Sequence, residues 1–280
     1  GQTIITSKHL FIPVNETKYR ATGLLKGDTT EYVKKIDIRY GKGKNYLLKD
    51  DLAVLDIIAS NFYDRPIYFA TTCKNEKLQG LNDYMQLEGL ALRLIPIKTA
   101  SDKTMAIYGS GRTDLDAIYN NVMTKWKWGN FDKKDLFVDK NYMAEVQAMK
   151  MSMLRASAGL SQIGDHARAA DMAKKYFEGF PHMNFAYDAG VIPFINILVR
   201  AGEFEEAKKH LRILAKESDQ YMKFYESLDN DDMSSFEQDM GYYVRGITDI
   251  LRLSRELQDP DFDKEMNDLL GQYSSRPVRD

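Results

Sequence analysis

The chain has 280 residues, and the usual domain size of roughly 150 residues predicts about two domains. Its 39 Lys and Arg residues against 41 Asp and Glu residues leave a formal net charge of −2, which argues against a general nucleic-acid-binding protein because such proteins carry a basic excess. The single cysteine, Cys73, excludes an intramolecular disulfide framework and a multi-cysteine zinc site. No stretch reaches the roughly 20 apolar residues of a membrane helix, so we expect no direct membrane insertion by these residues.

The chain begins with β-type patterns followed by a helical one. Residues 3–14 are rich in strand-forming residues, and residues 35–40 alternate apolar and polar side chains, which predicts a half-buried strand. The apolar spacing over residues 49–61 predicts a helix, and Asp50 and Asp51 would lie in its first turn, where the helix dipole favours acidic side chains.

A second set of short patterns completes the first part of the chain. Residues 66–70 form an almost wholly apolar run that is typical of a buried central strand. Residues 81–90 predict a short helix, and residues 91–97 predict a strand whose Pro96 places it at an edge or near its end. The order strand, helix, strand, helix, strand predicts a small α/β domain with βαβ units over residues 1–111.

The strand signal ends at residue 112, and the rest of the chain reads as helical. Thr113 and Asp114 can cap a helix that runs to about Trp126, and residues 140–273 are helical throughout with short breaks. We therefore predict an α+β/α fold class, in which an all-α domain over residues 112–280 follows the α/β domain.

Two of the breaks in the helical part share a pattern. Gly164 and Gly202 lie 38 residues apart, and each is followed by an acidic residue and, five positions after the glycine, by a small residue, Ala169 or Ala207. This pattern resembles the turn of a tetratricopeptide (TPR) repeat, in which the glycine closes one helix and the alanine lets the next helix pack closely on it. An unrelated helical array would satisfy the same apolar stripes and is the alternative.

The sequence indicates no catalytic, cofactor or metal site. The four histidines show no metal-ligand spacing, and the Gly-x-Ser-x-Gly elbow of an α/β-hydrolase is missing. Residues 109–113 precede a helix and could present backbone N–H groups to an anion. They lack the lysine and the spacing of a P-loop, so we favour a turn with a helix cap.

The richest group of polar residues in the first domain surrounds the ends of the predicted strands. Because α/β folds place ligands at strand ends, these residues are candidates for lining a ligand or partner cleft. The alternative is that Arg65 and Glu88 form a structural ion pair that holds a helix to the sheet. The candidates are Asn61, Arg65, Tyr68, Asp83, Tyr84, Gln86, Glu88 and Arg93.

Three groups of segments are distinctive in their residues and their order. They are residues 45–61 with 65–70, residues 81–91 with 93–97, and residues 111–114 with 119–123 and 128–130. Together they resemble the C-terminal soluble region of a bacterial family of large multi-pass membrane proteins, long labelled a domain of unknown function. That family is similar to the protein O-mannosyltransferases, with a related vertebrate membrane O-mannosyltransferase. The resemblance covers nearly the whole chain, from about residue 12 through the repeats.

The resemblance implies a cellular location for the chain and places the catalytic site of the parent protein elsewhere. In such families the membrane half carries the lipid-linked sugar site, so no residue of this chain inherits a catalytic role. The implied location is the periplasmic side of the inner membrane, as part of a multi-pass membrane protein. A chain that starts at Gly1 rather than at Met agrees with a fragment excised from such a parent.

We therefore expect a non-catalytic extracytoplasmic module of a membrane glycosyltransferase-like protein, with no cofactor. Its expected partners are a protein or acceptor polypeptide, a glycan, and the membrane half of its own chain, without nucleic acid. Stacked helix pairs offer a surface for an extended partner, which favours binding through the helical repeats. One alternative is a small-ligand or glycan-binding, or enzymatic, α/β domain. Another is a structural domain that oligomerises the membrane parent.

Overall fold

The computed structural model describes residues 10–25, 27–38 and 47–274, and the chain divides into two units. The first unit comprises Gly1–Lys125 with Asn141–Arg155, and the second comprises Trp126–Lys140 with Ala156–Asp280. The division after residue 111 into separate domains stays a prediction. The predicted strand residues 3–9 and 39–40 lie outside the described residues.

The first unit opens with a two-stranded antiparallel sheet and two helices. Strand β1 (Leu10–Pro13) pairs with β2 (Lys35–Ile38). Between them lies helix α1 (Glu16–Ala21), which Asn15 caps by accepting from the Lys18 N–H at 2.9 Å. Helix α2 spans Lys49–Asn61, which confirms the predicted helix at both ends.

A four-stranded sheet forms the centre of the first unit. Its strands are β3 (Tyr68–Ala70), β4 (Met85–Leu87), β5 (Ala91–Leu94) and β6 (Arg112–Thr113), in the order β3-β5-β4-β6. Strand β5 is antiparallel to both β3 and β4, and only the β4–β6 pair is parallel. Mixed α/β structure is therefore confirmed, but the predicted βαβ units are wrong, because the strands on either side of β5 run against it.

Two local predictions in this sheet are also wrong. The predicted helix over residues 81–90 is a short 3₁₀ turn at Asn82–Tyr84 followed by β4, which forms a hairpin with β5. Gly89 adopts a φ of 134° in the hairpin connection, a conformation that other residues rarely reach. The apolar run at 66–70 supplies β3, which is an edge strand and not a central one.

The loop after this sheet is held by a half-buried arginine, Arg155. Helix α3 (Leu115–Asn120) is capped by Asp114, whose side chain accepts from the Ala117 N–H at 2.9 Å, as the sequence predicts. In the preceding loop, the carbonyl groups of Ser110 and Gly111 accept hydrogen bonds from Arg155 at 3.0 and 2.6 Å. The loop therefore turns carbonyl oxygens toward a cation, which supports the turn interpretation over anion binding.

Long helices make up the remainder. Helix α4 (Met143–Gln162) crosses the boundary between the units, and a helical array follows it in the second unit. Within the array, α5 packs on α6, α6 on α7, and α7 and α10 on α9. The helices of the array are α5 (His166–Gly179), α6 (Ile192–Arg200), α7 (Phe204–Glu226), α8 (Asn230–Ser235), α9 (Glu237–Glu256) and α10 (Pro260–Leu270).

The two glycine breaks have the same geometry. Gly164 and Gly202 have φ values of 83° and 79°, the left-handed conformation that ends a helix. The residue after each glycine donates its N–H back across the turn at 2.9 Å, to Leu160 in one case and Leu198 in the other. Both alanines five positions after the glycines are fully buried. The predicted turn and packing roles are confirmed, whereas the assignment to the TPR family stays a prediction.

Candidate functional site

A row of polar side chains crosses one face of the four-stranded sheet. In the strand register, Tyr68 on β3 lies opposite Arg93 on β5, Arg93 opposite Gln86 on β4, and Gln86 opposite Arg112 on β6. Residues directly opposite each other on neighbouring strands project from the same face of a sheet. These four residues therefore form one line across all four strands, which we call the polar row.

The opposite face of the same sheet is apolar. Alternation along the strands directs Phe69, Leu87 and Leu92 away from the polar row, and all three are buried. Met85 and Leu94 are opposite each other and fully or almost fully buried on that face. The sheet thus has one face that packs into the core and one that carries charged and amide groups.

Glu88 joins three members of the polar row. Its Oε2 accepts from the Tyr68 hydroxyl at 2.8 Å, and its Oε1 accepts from Gln86 Nε2 at 2.7 Å. The same Oε1 lies 3.4 Å from Arg93 Nη1, and both side chains of this ion pair are largely shielded from solvent. The Arg93 guanidinium also lies 6.0 Å from the centre of the Tyr68 ring.

The other end of the row is held by acidic residues. Gln86 accepts from Arg112 Nε at 2.6 Å and donates to Asp114 at 3.3 Å, so both ends of its buried amide are engaged. Arg112 in turn pairs with Asp28. Although partial burial acts in the opposite direction, hydrogen bonds from Thr30 and Arg112 lower the pKa of Asp28 to about 2.

Burial also changes the acidity of two tyrosines near the row. The pKa of Tyr68 rises to about 12, first because of desolvation and then because its hydroxyl donates to the Glu88 carboxylate. Desolvation raises the pKa of Tyr19 to about 12 as well, against the opposing charge of Arg93. Both phenols are therefore neutral at physiological pH and are poorly suited to act as bases.

Four of the eight predicted cleft residues meet in this way: Tyr68, Gln86, Glu88 and Arg93. Arg65 does not join them, because its guanidinium pairs with the neighbouring Asp64 at 2.9 Å and both side chains are largely exposed. The alternative Arg65–Glu88 ion pair is therefore wrong, and Glu88 takes Arg93 as its cation instead. Asn61 also lies apart, since its amide donates to the carbonyl of Ile57 at 2.8 Å within α2.

The two remaining candidates stabilise backbone. The carboxylate of Asp83 accepts from the Ser101 hydroxyl at 2.8 Å and from the Ser101 N–H at 3.1 Å. Tyr84 is buried, and its hydroxyl accepts from the Asp37 N–H at 3.3 Å. Neither side chain is hydrogen-bonded to the polar row, so each has a local structural role.

Most of the charged and hydrogen-bonding groups of the polar row already have partners within the protein. Its two guanidinium groups pair with the carboxylates of Glu88 and Asp28, and Arg93 Nε is the one fully buried side-chain polar atom of the row without a hydrogen-bond partner among the described residues. Within residues 10–25, 27–38 and 47–274, no group of three or more His, Cys, Asp or Glu residues is arranged to hold a metal ion. No helix in that same part of the chain is long and apolar enough to span a bilayer.

A second candidate surface lies on the helical array. Six aromatic side chains near the end of α7 and the start of α9 form a continuous cluster, which we call the aromatic patch. Successive ring centroids lie 4.5 to 6.4 Å apart, which is the range of favourable aromatic contacts. The members of the patch are Tyr221, Phe224, Tyr225, Phe236, Tyr242 and Tyr243.

Much of this patch faces solvent. Tyr225 is buried at its centre, whereas Tyr221, Phe224 and Tyr242 are 38%, 48% and 40% exposed. Tyr221 and Tyr243 stack with a centroid distance of 4.5 Å and an interplanar angle of 22°. Contiguous exposed aromatic surface of this kind is uncommon on a surface without a partner, whereas single exposed apolar residues are ordinary.

The sequence did not predict the residues that join the polar row through distant contacts, nor the exposure of the aromatic patch. Arg112, Asp114 and Asp28 join the row through a two-residue strand and a loop, neither of which has a recognisable pattern. The aromatic patch had a visible signal in the six aromatic residues within positions 221–243, but helical spacing there also fits a core.

The first part of the chain matches a known protein family. Residues 2–116 match the model of a family described as TMEM260-associated domain 2. This range contains the whole polar row and ends before α3 is complete. No curated protein and no solved structure matches the chain. The first part of the chain is therefore similar to a domain of TMEM260-like proteins.

Proposed function

We propose that this chain is a non-catalytic, extracytoplasmic binding module of a membrane glycosyltransferase-like protein, and that its helical array binds an acceptor polypeptide or another protein partner. The observation that carries the proposal is the exposed aromatic patch on the array. Aromatic side chains that are contiguous and partly exposed are the residues most enriched at the centres of protein interfaces.

The polar row supports the non-catalytic part of the proposal. General acid–base catalysis needs a titratable group with a pKa near the working pH and access to substrate. Tyr68 and Asp28 have pKa values near 12 and 2, far from neutrality in opposite directions. Glu88 is occupied by hydrogen bonds from two neighbours and by the Arg93 ion pair, so the row resembles a structural network.

The match to a TMEM260-associated domain supports the proposed parent. If the parent is similar to the protein O-mannosyltransferases, its sugar-transfer site lies in a membrane half outside these residues. The chain would then lie on the periplasmic side of the inner membrane. Helical repeats of the TPR type bind extended polypeptides along stacked helix pairs, and the repeated glycine turns of this array agree with that type.

The proposal is tested with the purified 280-residue chain. Incubated with lipid-linked and nucleotide sugars in the presence of secreted polypeptides, it should bind polypeptide and transfer no sugar. Hydrogen exchange should show protection of backbone amides in the second unit. Sugar transfer by the chain alone, or polypeptide binding that protects only the first unit, would overturn the proposal.

A small-ligand or glycan site on the first unit remains the second candidate. The buried Nε of Arg93, which finds no acceptor among the described residues, and the 47% exposure of Tyr68 favour it. A mannoside that bound the chain and lost affinity on Tyr68→Phe substitution would support this candidate. Equal behaviour of the wild-type chain and the variant toward the mannoside would argue against it.

A further inference from the structure

The aromatic patch lies in the most acidic part of the chain. Residues 217–243 contain eight Asp and Glu residues and a single basic residue, Lys223, although the whole chain has a net charge of only −2. Lys223 is already paired, since its Nζ lies 2.6 Å from Asp219. The segment that carries the exposed rings therefore has an excess of acidic over basic residues.

Two acidic side chains, Asp239 from this segment and Asp188 from the turn before α6, lie close to the rings. Asp239, in the first turn of α9, is near enough to Tyr225 to add to the effect of burial in raising the pKa of that phenol. Asp188 acts in the same direction, after burial, on the pKa of Tyr242. Asp232 and Asp239 are both exposed. Asp188 and Asp239 thus lie near rings of the patch, and Asp239 is exposed to solvent together with Asp232 on the same segment.

We propose that the aromatic patch binds a polypeptide segment rich in lysine or arginine. This inference rests on the proposed function, because it specifies the chemical class of the polypeptide that the array binds. Aromatic faces attract the cationic groups of Lys and Arg, and their alkyl stems pack on the rings while nearby carboxylates bind the charged ends. The chain already contains such contacts, since the guanidinium of Arg212 lies 4.9 Å from the centre of the Phe262 ring.

Charge argues against the other occupants. A symmetric contact with a second copy of this chain would bring two identical acidic surfaces together, and like charges in an interface cost affinity. A neutral glycan could stack on the tyrosines and donate hydroxyl hydrogen bonds to the carboxylates, but it would leave their negative charge uncompensated. A cationic segment is the occupant that uses both features of the surface.

The test uses three short labelled peptides of equal length, in which glycine alternates with lysine, serine or glutamate. Binding to the full chain is measured by fluorescence anisotropy at low and high salt. We expect the lysine peptide to bind and the other two to bind at least about tenfold more weakly, with the difference shrinking as salt screens the charges. Sedimentation of the free chain reports self-association.

Matched variants locate the binding. Phe224→Ala should raise the Kd of the lysine peptide about fivefold or more, since truncating a central aromatic contact removes much of an interface's affinity. Phe204→Ala is the control, because Phe204 is 43% exposed at the other end of the same helix and should leave the Kd unchanged. Phe224→Leu keeps apolar bulk for folding and removes the ring face, so it should also weaken binding.

Charge variants give a second, independent readout. Asp232→Asn with Asp239→Asn should weaken lysine-peptide binding and its salt dependence more than Asp261→Asn with Asp268→Asn, which changes net charge equally on α10. Equal binding of the three peptides would overturn the inference but leave polypeptide binding intact. Equal effects of Phe224→Ala and Phe204→Ala, or self-association through the patch that excludes peptide, would also overturn it.

Discussion

The ion pair between Arg93 and Glu88 gives the sharpest stability prediction for the first unit. Its two side chains are largely shielded from solvent, and Glu88 accepts hydrogen bonds from Tyr68 and Gln86 in addition. Replacing Arg93 with methionine keeps the side chain's apolar length and removes its charge. Glu88 would then retain a negative charge in a poorly hydrated position.

The expected loss in the free energy of unfolding depends on how well the remaining charge of Glu88 is compensated. Removing one partner of a buried ion pair typically destabilises a protein by about 3–5 kcal/mol, because the remaining charge is uncompensated. Since Glu88 keeps the hydrogen bonds from Tyr68 and Gln86, we expect the low end of the range, about 3 kcal/mol. Glu88→Gln combined with Arg93→Met removes the stranded charge and should recover part of the loss.

Urea unfolding at neutral pH, followed by far-ultraviolet circular dichroism, measures these changes. The matched control is Arg65→Met, whose partner Asp64 is adjacent and whose pair is largely exposed. Exposed pairs contribute about 0–1 kcal/mol, so the control should change the free energy of unfolding little. If Arg93→Met costs no more than Arg65→Met, or if the double variant shows no coupling, the row is not a structural network.

Three further predictions concern glycine geometry and pH. Gly111→Ala should lower the free energy of unfolding by more than about 2 kcal/mol in calorimetry, because the new Cβ would lie 2.0 Å from the Met85 carbonyl oxygen. The new Cβ of Gly164→Ala would meet no atom within 4 Å, so this variant should lose only about 1 kcal/mol. Equal losses in the two variants would contradict this. Burial lowers the pKa of His210 from 6.5 to about 4, so the unfolded chain takes up this proton before the folded chain does as the pH falls. Urea titrations should therefore show that the wild-type chain loses about 3 kcal/mol of its free energy of unfolding between pH 6.5 and 4, and that the His210→Gln variant does not. The pKa of Tyr68 is raised from 10 to about 12 in the folded chain, so its contribution to stability is present below pH 10 and declines as the pH rises through 12. Tyr68→Phe should therefore reduce the loss of stability at alkaline pH. An unchanged loss would exclude Tyr68 as its source.

Local signals predicted α2 and the glycine helix ends well. Helix α2 has the predicted bounds, because helical spacing and the acids in its first turn are contained in one segment of thirteen residues. The glycine turns at Gly164 and Gly202 were also predictable, since a left-handed helix end depends on the residue itself. Such features need no knowledge of distant parts of the chain.

The sheet was predicted less well because its strands depend on partners elsewhere. Tyr84, Leu87 and Leu90 have a spacing of three that fits a helix, yet Met85 and Leu87 alternate as the core-facing residues of β4. The hairpin with β5 stabilises the extended form, which local spacing cannot reveal. Short apolar segments are ambiguous between helix and strand for this reason.

The two candidate sites differ in the same way. The polar row exists only through the register of four short strands, so its membership could not be read from spacing, and half of the predicted cleft residues lie elsewhere. The residues of the aromatic patch lie near one another in the sequence, so the aromatic character of this segment could be recognised without a structure. What the sequence lacked was the information that Tyr221, Phe224 and Tyr242 remain exposed when the helices pack.

Hydrogen–deuterium exchange of the full chain, with and without the lysine peptide, is the decisive test of peptide binding by the helical array. We predict slower exchange for amides within residues 221–243, around the aromatic patch, and unchanged exchange in β3 to β6. Slower exchange confined to the strands of the polar row would contradict it, because the first unit would then hold the binding site and the helical array would not.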